Sequence, residues 1–429
     1  MNIVVIGSGG REHALAKRLI SEPGVDKVSV VPGNAGMLDD NLTLVTCNIK
    51  DKTDLLNKME QIKPDLVVFG PEQPLVDGMG EFLEEKGFIV LGASAAAAQL
   101  EGSKIFSKEF MFRNDIPTAA FETFNSYELA LEGLNSWDVE TSGIVIKADE
   151  LAAGKGVVVT WDMKEAQKTL YDFFMNPDCP VNTKRVLFEK VLKGVELSAF
   201  ALMDGNTFIT LGYACDYKRL QDADKGPNTG GMGCFTPKSW PTDNTKSQID
   251  ERVFRPVVEG MKKEGHPFKG ILFAGLMIDN ENVNVIEFNI RFGDPEAQTL
   301  LPLLEGDLSK AFDLAARGEL SGFENKLTLS NEASVHIVAA SGGYPAMDGK
   351  PMNLDNPISI EQLEDATIFF AGVKEKDGKL VNSGGRVLGV TCTGETIEKA
   401  REAAYRQMEK INFDGMIYRS DIASGSDGR

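Results

Sequence analysis

Glu287, Asn289 and Arg291 recur at every second position of VIEFNIRFGDPE (285–296). In an extended strand that spacing puts all three side chains on one face. A carboxylate beside an amide oxygen is a pair of hard ligands, suited to a Mg²⁺ ion that bridges nucleotide phosphates. An arginine on the same face could hold a transferring phosphoryl group. The plainer alternative is a surface ion pair between Glu287 and Arg291. That alternative weakens because Ile286, Phe288 and Ile290 make the opposite face apolar, as in a core strand with one open side. Asp294 and Glu296, in the turn that follows, could face a second substrate.

IKADELAAGKGVVV (146–159) resembles a phosphate loop without being the usual one. A Walker loop ends Gly-Lys-Ser/Thr and feeds a helix. Here Gly154-Lys155 is followed by Gly156, Asp149 stands at the first glycine position, and the flanks have strand patterns. Phosphate contact would rest on loop N–H groups and on Lys147 and Lys155. Such a hairpin can also close over a nucleotide. A plain hairpin with a solvated lysine fits this stretch, taken alone, equally well. In GSGGRE (7–12), Glu12 occupies the third glycine of a dinucleotide fingerprint, where a side chain obstructs helix packing. The turn then reads as a small-anion site or as an unliganded βα turn. In CDYKRLQDADKGPNTGGMG (215–233), Asp216, Lys218 and Arg219 precede a loop with four glycines, either a lid with ligand contacts or ordinary flexible chain. His13, His266 and His336 are isolated, which disfavours a hydrolytic triad.

These residues need a frame. The first hundred residues alternate short apolar runs (2–7, 27–33, 65–72, 87–92) with helical spacing, predicting a parallel sheet covered on both faces. Ligands in such sheets sit at the carboxyl ends of strands, so Gly9, Gly10, Arg11, Asn34, Glu72 and Gln73 should share a rim. A helix over 102–117 follows, then a smaller α+β segment to about 192, alternating strands to about 325, and strand patterns at 334–340, 366–373 and 386–394.

The 429 residues exceed one compact core. With 45 basic and 64 acidic residues the net charge is −19, the wrong sign for a nucleic-acid binder. No apolar run reaches membrane-spanning length and no signal peptide is visible. Five scattered cysteines indicate neither zinc site nor disulfide framework, as expected of a cytoplasmic protein.

Taken together, GSGGREHALA (7–16), VPGNAG (31–36), GPEQPLVDG (70–78), AAQLEGSK (97–104), IKADELAAGKGV (146–157), DYKRLQDADKGPNTGGMG (216–233), FAGLMID (273–279), VIEFNIRFGDPEAQ (285–298) and NSGGRVLGVT (382–391) resemble the phosphoribosylamine–glycine ligase family of the ATP-grasp superfamily. The resemblance implies an α/β and α+β multidomain fold. It comprises a doubly wound N-terminal domain (1–102), a large ATP-grasp domain (103–118 and 193–325), a small mobile lid (119–192) and a small β-rich C-terminal domain (326–429). It implies ligation of glycine to 5-phosphoribosylamine by a cytoplasmic monomer, using ATP and Mg²⁺ or Mn²⁺ and passing through a glycyl phosphate. It further implies that Lys104, Lys147 and the Gly154–Gly156 loop hold ATP phosphates, with backbone contacts from Glu189 and Val191 to adenine and Glu196 on ribose. Glu287 and Asn289 match metal ligands, Arg291 would stabilise the phosphoryl group, and Arg291 and Asp294 are the catalytic candidates. Gly10, Arg11, Glu72, Asp294 and Arg386 match the phosphoribosyl site, Arg386 being the candidate for the 5′-phosphate. Glu150 and Tyr217 depart from the pattern, standing where the family usually has glycine and histidine. A carboxylase of the same superfamily, an NAD-dependent oxidoreductase and a non-catalytic nucleotide binder are the alternatives.

Overall fold

The computed structural model describes residues 1–38, 41–151, 156–323, 326–346 and 351–425. Strands β1 (Asn2–Gly7), β2 (Lys27–Pro32), β3 (Thr43–Leu44), β4 (Leu66–Phe69) and β5 (Val90–Leu91) form one parallel sheet in the order β3-β2-β1-β4-β5. Their near-continuous Val/Ile/Leu content follows from burial on both faces. Helix α1 (Gly10–Ile20) starts directly after β1 and aims its N-terminus at the sheet's carboxyl rim.

A four-stranded sheet comes next, in the order β6-β9-β7-β8, from β6 (Phe121–Phe124), β7 (Ile144–Ala148), β8 (Val157–Thr160) and β9 (Val186–Glu189). β7 and β8 pair antiparallel with Lys147 opposite Val157, so the phosphate-loop-like stretch is flanked by strands on both sides. Its own small core, including Ile144, Ile146, Leu170 and Phe188, is separate from the two large clusters.

The body is an eight-stranded antiparallel sheet. It contains β10 (Val195–Asp204), β11 (Phe208–Asp216), β14 (Gly233–Phe235), β15 (Lys269–Asp279) and β16 (Asn282–Asn289) in the order β16-β15-β10-β11-β14. It continues through the strands Ala333–Ala340, Arg386–Gly394 and Thr367–Phe370 of the C-terminal part. Between β11 and β14, β12 (Arg219–Gln221) and β13 (Lys225–Asn228) make a hairpin where a flexible loop was one expectation. No helix among the described residues is long and apolar enough to cross a membrane.

His336 lies inside this sheet, 1% exposed, with Nδ1 2.8 Å from Thr391 Oγ1. Burial pushes its imidazole down from 6.5 to about 3. The unfolded chain therefore takes up this proton first as pH falls. The stability is present above pH 6.5 and is lost as pH drops through the window towards 3. Urea unfolding at pH 7 and pH 4.5 should show wild type losing more stability over that interval than His336→Asn. The excess slope should approach about 1.4 kcal/mol per pH unit. Equal slopes would show that burial does not hold the imidazole neutral.

Candidate active site

The site lies where the faces of β10, β15 and β16 meet the small sheet. Glu287 is opposite Gly275, which is in turn opposite Ser198. Gly275 has no side chain, so the floor between Ser198 and Glu287 is open; a Cβ there would come 3.3 Å from Glu287 Cγ. The cleft is lined by Glu196, Ser198, Asp216, Lys218, Leu276 and Glu287, among others.

Sequence periodicity places Glu287, Asn289 and Arg291 together, and the structure agrees: Arg291 Nη2 donates to Asn289 Oδ1 at 3.2 Å. The opposite face is only partly as expected. Phe288 and Ile290 are buried, but the register shifts between the Gly275–Glu287 and Leu276–Val285 pairs, leaving Ile286 unpaired in a bulge. Ile286 consequently borders the cleft, and its carbonyl accepts from Lys147 Nζ at 3.2 Å.

The electrostatics centre on Glu287. Burial alone would raise its carboxyl. Lys218, Lys147, Lys104 and Arg291 outweigh that and hold it below the usual carboxylate range. Glu287 and Asn289 thus present an ionised carboxylate and an amide oxygen side by side. Among the described residues no group of three or more His, Cys, Asp or Glu could hold a metal. Two oxygen ligands suit an ion that takes its remaining ligands from water and substrate phosphates.

Arg291 is tied on several sides: Nε lies 3.3 Å from Glu72 Oε2, Nη2 lies 2.7 Å from Glu101 Oε1, and Nη1 donates to the Phe292 carbonyl at 3.1 Å. Glu101, which also accepts from Ile290 N at 2.8 Å, was not among the expected site residues. Burial pushes its carboxyl up, against the pull of Arg291. Arg386 donates to the carbonyls of Gly230 and Asp294, both at 2.6 Å, and lies 3.2 Å from Asp294 Oδ1. Burial would raise Asp294, but Arg386 and Arg11 hold it below its ordinary value. Asp294, one of the two residues expected to be catalytic, with Arg291, thus stands ionised between two guanidinium groups.

At the N-terminal rim, Arg11 Nε pairs with Glu12 Oε1 at 2.6 Å, and the Arg11 amide donates to Asp294 Oδ2 at 3.4 Å. Glu12 also accepts from Gly9 N at 2.6 Å. Its carboxylate fills the hollow beneath the turn: a Cβ on Gly70 would stand 2.1 Å from Glu12 Oε1. The fingerprint glycine is replaced by a side chain occupying that hollow, which removes the dinucleotide reading. Gly10 is buried against Gln298, whose Nε2 lies 2.5 Å from where a Cβ would be. Asn34 serves the fold instead, donating to the Ser8 and Phe370 carbonyls at 2.8 and 3.0 Å.

On the lid side, Lys147 Nζ lies 2.7 Å from Glu189 Oε1, and Lys108 Nζ lies 3.0 Å from Glu189 Oε2. The Glu189 backbone stands in register with Phe121 and Val145, and its side chain bridges two buried lysines, which the sequence reading missed. Lys108 is four residues after Lys104 on one helix, a spacing that could have flagged it. Val191 is half-buried near Gly143. Asp149, which stands at the first glycine position of a phosphate loop, has its side chain closed to solvent and clips lid to body. Its Oδ1 accepts from Ser103 Oγ at 2.8 Å and Ile105 N at 3.0 Å, and Arg185 Nη2 is 2.5 Å from Oδ2. It thereby caps the helix Lys104–Arg113 from across the cleft. Lys104 Nζ donates to the Glu150 carbonyl at 2.7 Å, a backbone contact that glycine at that position would also offer. Gly156 is buried and its carbonyl accepts from Ala148 N at 2.8 Å; Gly154 and Lys155 lie outside the described residues.

Lys218 Nζ pairs with Glu196 Oε2 at 3.1 Å at the cleft's open end. Arg219 does not join them: its exposed side chain donates to the Gly226 carbonyl at 2.8 Å within the hairpin. Strand alternation after Lys218 turns it away. Tyr217 packs under the Arg419 guanidinium, 4.7 Å from the ring centroid, and its hydroxyl accepts from Ala423 N at 3.1 Å. The ring is a clasp for the C-terminal segment.

Three family models match the chain in sequence order. They are the phosphoribosylglycinamide synthetase N domain over residues 1–101, its ATP-grasp (A) domain over 102–297 and its C domain over 334–425. The phosphoribosylamine–glycine ligase of Caldanaerobacter subterraneus subsp. tengcongensis is 40% identical over 426 residues, covering 99% of this chain and 100% of that protein. The enzyme of the same name from Escherichia coli O157:H7 is 41% identical over 425 residues, 98% of each chain. The crystal structure of the Thermotoga maritima phosphoribosylamine–glycine ligase superposes with a TM-score of 0.85 at 35% identity, covering 98% of this chain and 100% of that one. The chain belongs to the phosphoribosylamine–glycine ligase family, ATP-grasp enzymes that use ATP to join glycine to phosphoribosylamine in purine biosynthesis.

Proposed function

We propose that the cleft around Glu287 performs this ligation in two displacements. A carboxylate oxygen of glycine attacks the γ-phosphorus of ATP, and the bond to the bridging oxygen breaks to release ADP. The amine nitrogen of 5-phosphoribosylamine then attacks the carbonyl carbon of glycyl phosphate. Phosphate leaves, and the nitrogen gives up a proton as the amide forms.

In this reading Lys104, Lys147, Gly156 and the loop bearing Gly154 and Lys155 face the ATP phosphates, with Glu196 at the ribose and Glu189 and Val191 at the adenine. Glu287 and Asn289 would hold Mg²⁺ or Mn²⁺, which when bound neutralises phosphate charge. Arg291, oriented by Glu72 and Glu101, faces the transferring phosphoryl group. Gly10, Arg11, Glu72, Asp294 and Arg386 surround the phosphoribosyl group, and Asp216 and Lys218 lie between the substrates. Arg219 has no place in this assignment. The functional division follows residues 1–102, 103–118 with 193–325, 119–192 and 326–429, and the enzyme acts as a cytoplasmic monomer.

The carrying observation is the gathering of cations at Glu287: Lys218 lines the same cleft, Lys147 donates to the neighbouring Ile286 carbonyl, Arg291 donates to Asn289, and with Lys104 they keep the buried carboxylate ionised. That is the electrostatic preparation a phosphoryl transfer needs, and such a transfer relies on positioning more than on a covalent nucleophile. The test is ADP release with ATP, glycine and 5-phosphoribosylamine, omitting each in turn. Release should require all three. Release with bicarbonate in place of glycine would favour a carboxylase instead.

A further inference from the structure

Lys218 stands at the foot of a ribbon that needs outside support. The hairpin of β12 and β13 is two-stranded, and such a ribbon is marginal in water unless something packs on it. At its foot, Thr229 N and Oγ1 donate to the Lys218 carbonyl at 2.7 and 2.9 Å. At its tip, Ala223 and Asp224 take the left-handed conformation, at φ +56° and +50°, which is costly for residues with a Cβ.

The support comes from the C-terminal segment 419–423. Ser420 donates through N, at 2.9 Å, and through its hydroxyl to the Asp222 carboxylate, and Ala223 N donates to Asp421 Oδ2 at 2.8 Å. The helix Ile397–Met408 fixes the segment from behind. Arg401 donates to the Ile422 and Ser420 carbonyls, both at 2.9 Å, and the Tyr405 hydroxyl donates to the Arg419 carbonyl at 2.9 Å. Arg419 itself is 1% exposed. Its Nε and Nη2 grip the Asp421 carboxylate at 2.7 and 2.8 Å, and Nη1 donates to Asp224 Oδ1 at 2.8 Å and to the Arg219 carbonyl at 3.0 Å. Its guanidinium also lies over the Tyr217 ring. One buried cation thus holds the residues on both sides of Lys218, by the ring of Tyr217 and the carbonyl of Arg219. The lysine between them lines the cleft and pairs with Glu196. Burial would raise the Glu287 carboxyl, and of the cations that outweigh it Lys218 acts most strongly.

We propose that Arg419 is a positioning residue for the ligation, setting the place of Lys218 from outside the cleft and making segment 419–423 a remote part of the active site. The inference rests on the ligase reading for the task of Lys218. The planar fork of arginine is what reaches Asp421, Asp224 and the Arg219 carbonyl together while stacking on a ring, and a lysine ammonium does not reproduce that.

The test uses the full chain with Arg419→Ala, Lys218→Met and the double variant, checked for folding by thermal melting. In steady-state ADP release with all three substrates, kcat should fall about twentyfold in Arg419→Ala, the scale of a small misplacement of a reacting-site group. The KM for ATP should stay within about threefold, because Lys104 and Lys147 stand on other elements. The double variant should lose no more than Lys218→Met alone, since Arg419 acts through that lysine. Arg419→Lys should fall nearly as far as Arg419→Ala. Hydrogen exchange should rise in residues 217–231 and not in the strand Ala333–Ala340. Additive losses in the double variant overturn the proposal, as do a fully active Arg419→Lys and exchange that rises throughout the body sheet. If Arg419→Ala does not fold, Asp224→Ala carries the same cycle with Lys218→Met, its side chain being 71% exposed, with a loss in kcat of about threefold expected. A wild type that releases no ADP with glycine would overturn the ligase reading, whereas active wild type with additive variants overturns only the positioning role.

Discussion

Glu287→Gln should lower kcat by about a thousandfold, roughly 4 kcal/mol of transition-state stabilisation. The substitution keeps the side chain's size and removes its charge. Lys218, Lys147, Lys104 and Arg291 then surround a neutral amide. The hard ligand facing the phosphates is also weakened, because a neutral amide oxygen replaces an ionised carboxylate. Both effects act on the step in which phosphate charge is redistributed, so kcat should fall far more than the KM for glycine rises. Raising Mg²⁺ should recover little, since the lost group also balances the lysines. The measurement is steady-state ADP release across Mg²⁺ concentrations, with a thermal melt as control. A variant retaining more than a tenth of the wild-type kcat would remove Glu287 from the metal site.

The chemistry of the β16 face was readable because a strand converts a two-residue period into a shared direction, and Glu287, Asn289 and Arg291 obey it. The hairpin nature of the 146–159 stretch was readable for the same kind of local reason. What escaped is what depends on distant segments meeting. Glu101 and Glu72 are 190 and 219 residues from Arg291 in sequence. No local pattern announces that they orient it. The bulge at Ile286 is a one-residue event in an otherwise regular alternation, invisible until β15 supplies the register. Asp149 looked like a defect in a phosphate loop, and its role as a cap appears only when the helix Lys104–Arg113 is placed beside it. Arg219 and Tyr217 show the converse. Arg219 stands next to Lys218 in sequence, but alternation sends its side chain into the hairpin, and the ring of Tyr217 is taken up by the C-terminal segment.

Glu189 illustrates both the local and the non-local, and Glu189→Gln is expected to have the largest effect on stability. The resemblance pointed to its backbone, at what proves to be the end of β9, but nothing pointed to its carboxylate bridging Lys108 and Lys147. All three side chains are nearly closed to solvent, at 4%, 2% and 5% exposure for Glu189, Lys108 and Lys147. Burial already pulls the Lys108 ammonium down to about 8, with Glu189 the strongest opposing influence. Neutralising the bridge strands two ammonium groups in the interior, and removing one partner of a buried ion pair costs about 3–5 kcal/mol. The damage should be local, because this carboxylate joins the lid sheet, through β9 and β7, to the helix carrying Lys104 and Lys108. Hydrogen exchange should therefore rise first in residues 144–160 and 186–189, before the body sheet. Nucleotide affinity should fall with it, since Lys147 loses the group that orients it. Lys108→Met paired with Glu189→Gln should recover part of the stability, because the double variant buries one stranded charge instead of two. Recovery of stability without recovery of ATP affinity would separate the two tasks of this carboxylate, holding the lid together and aiming Lys147. A double variant no more stable than Glu189→Gln alone would mean that Lys108 is not stranded by the loss of its partner.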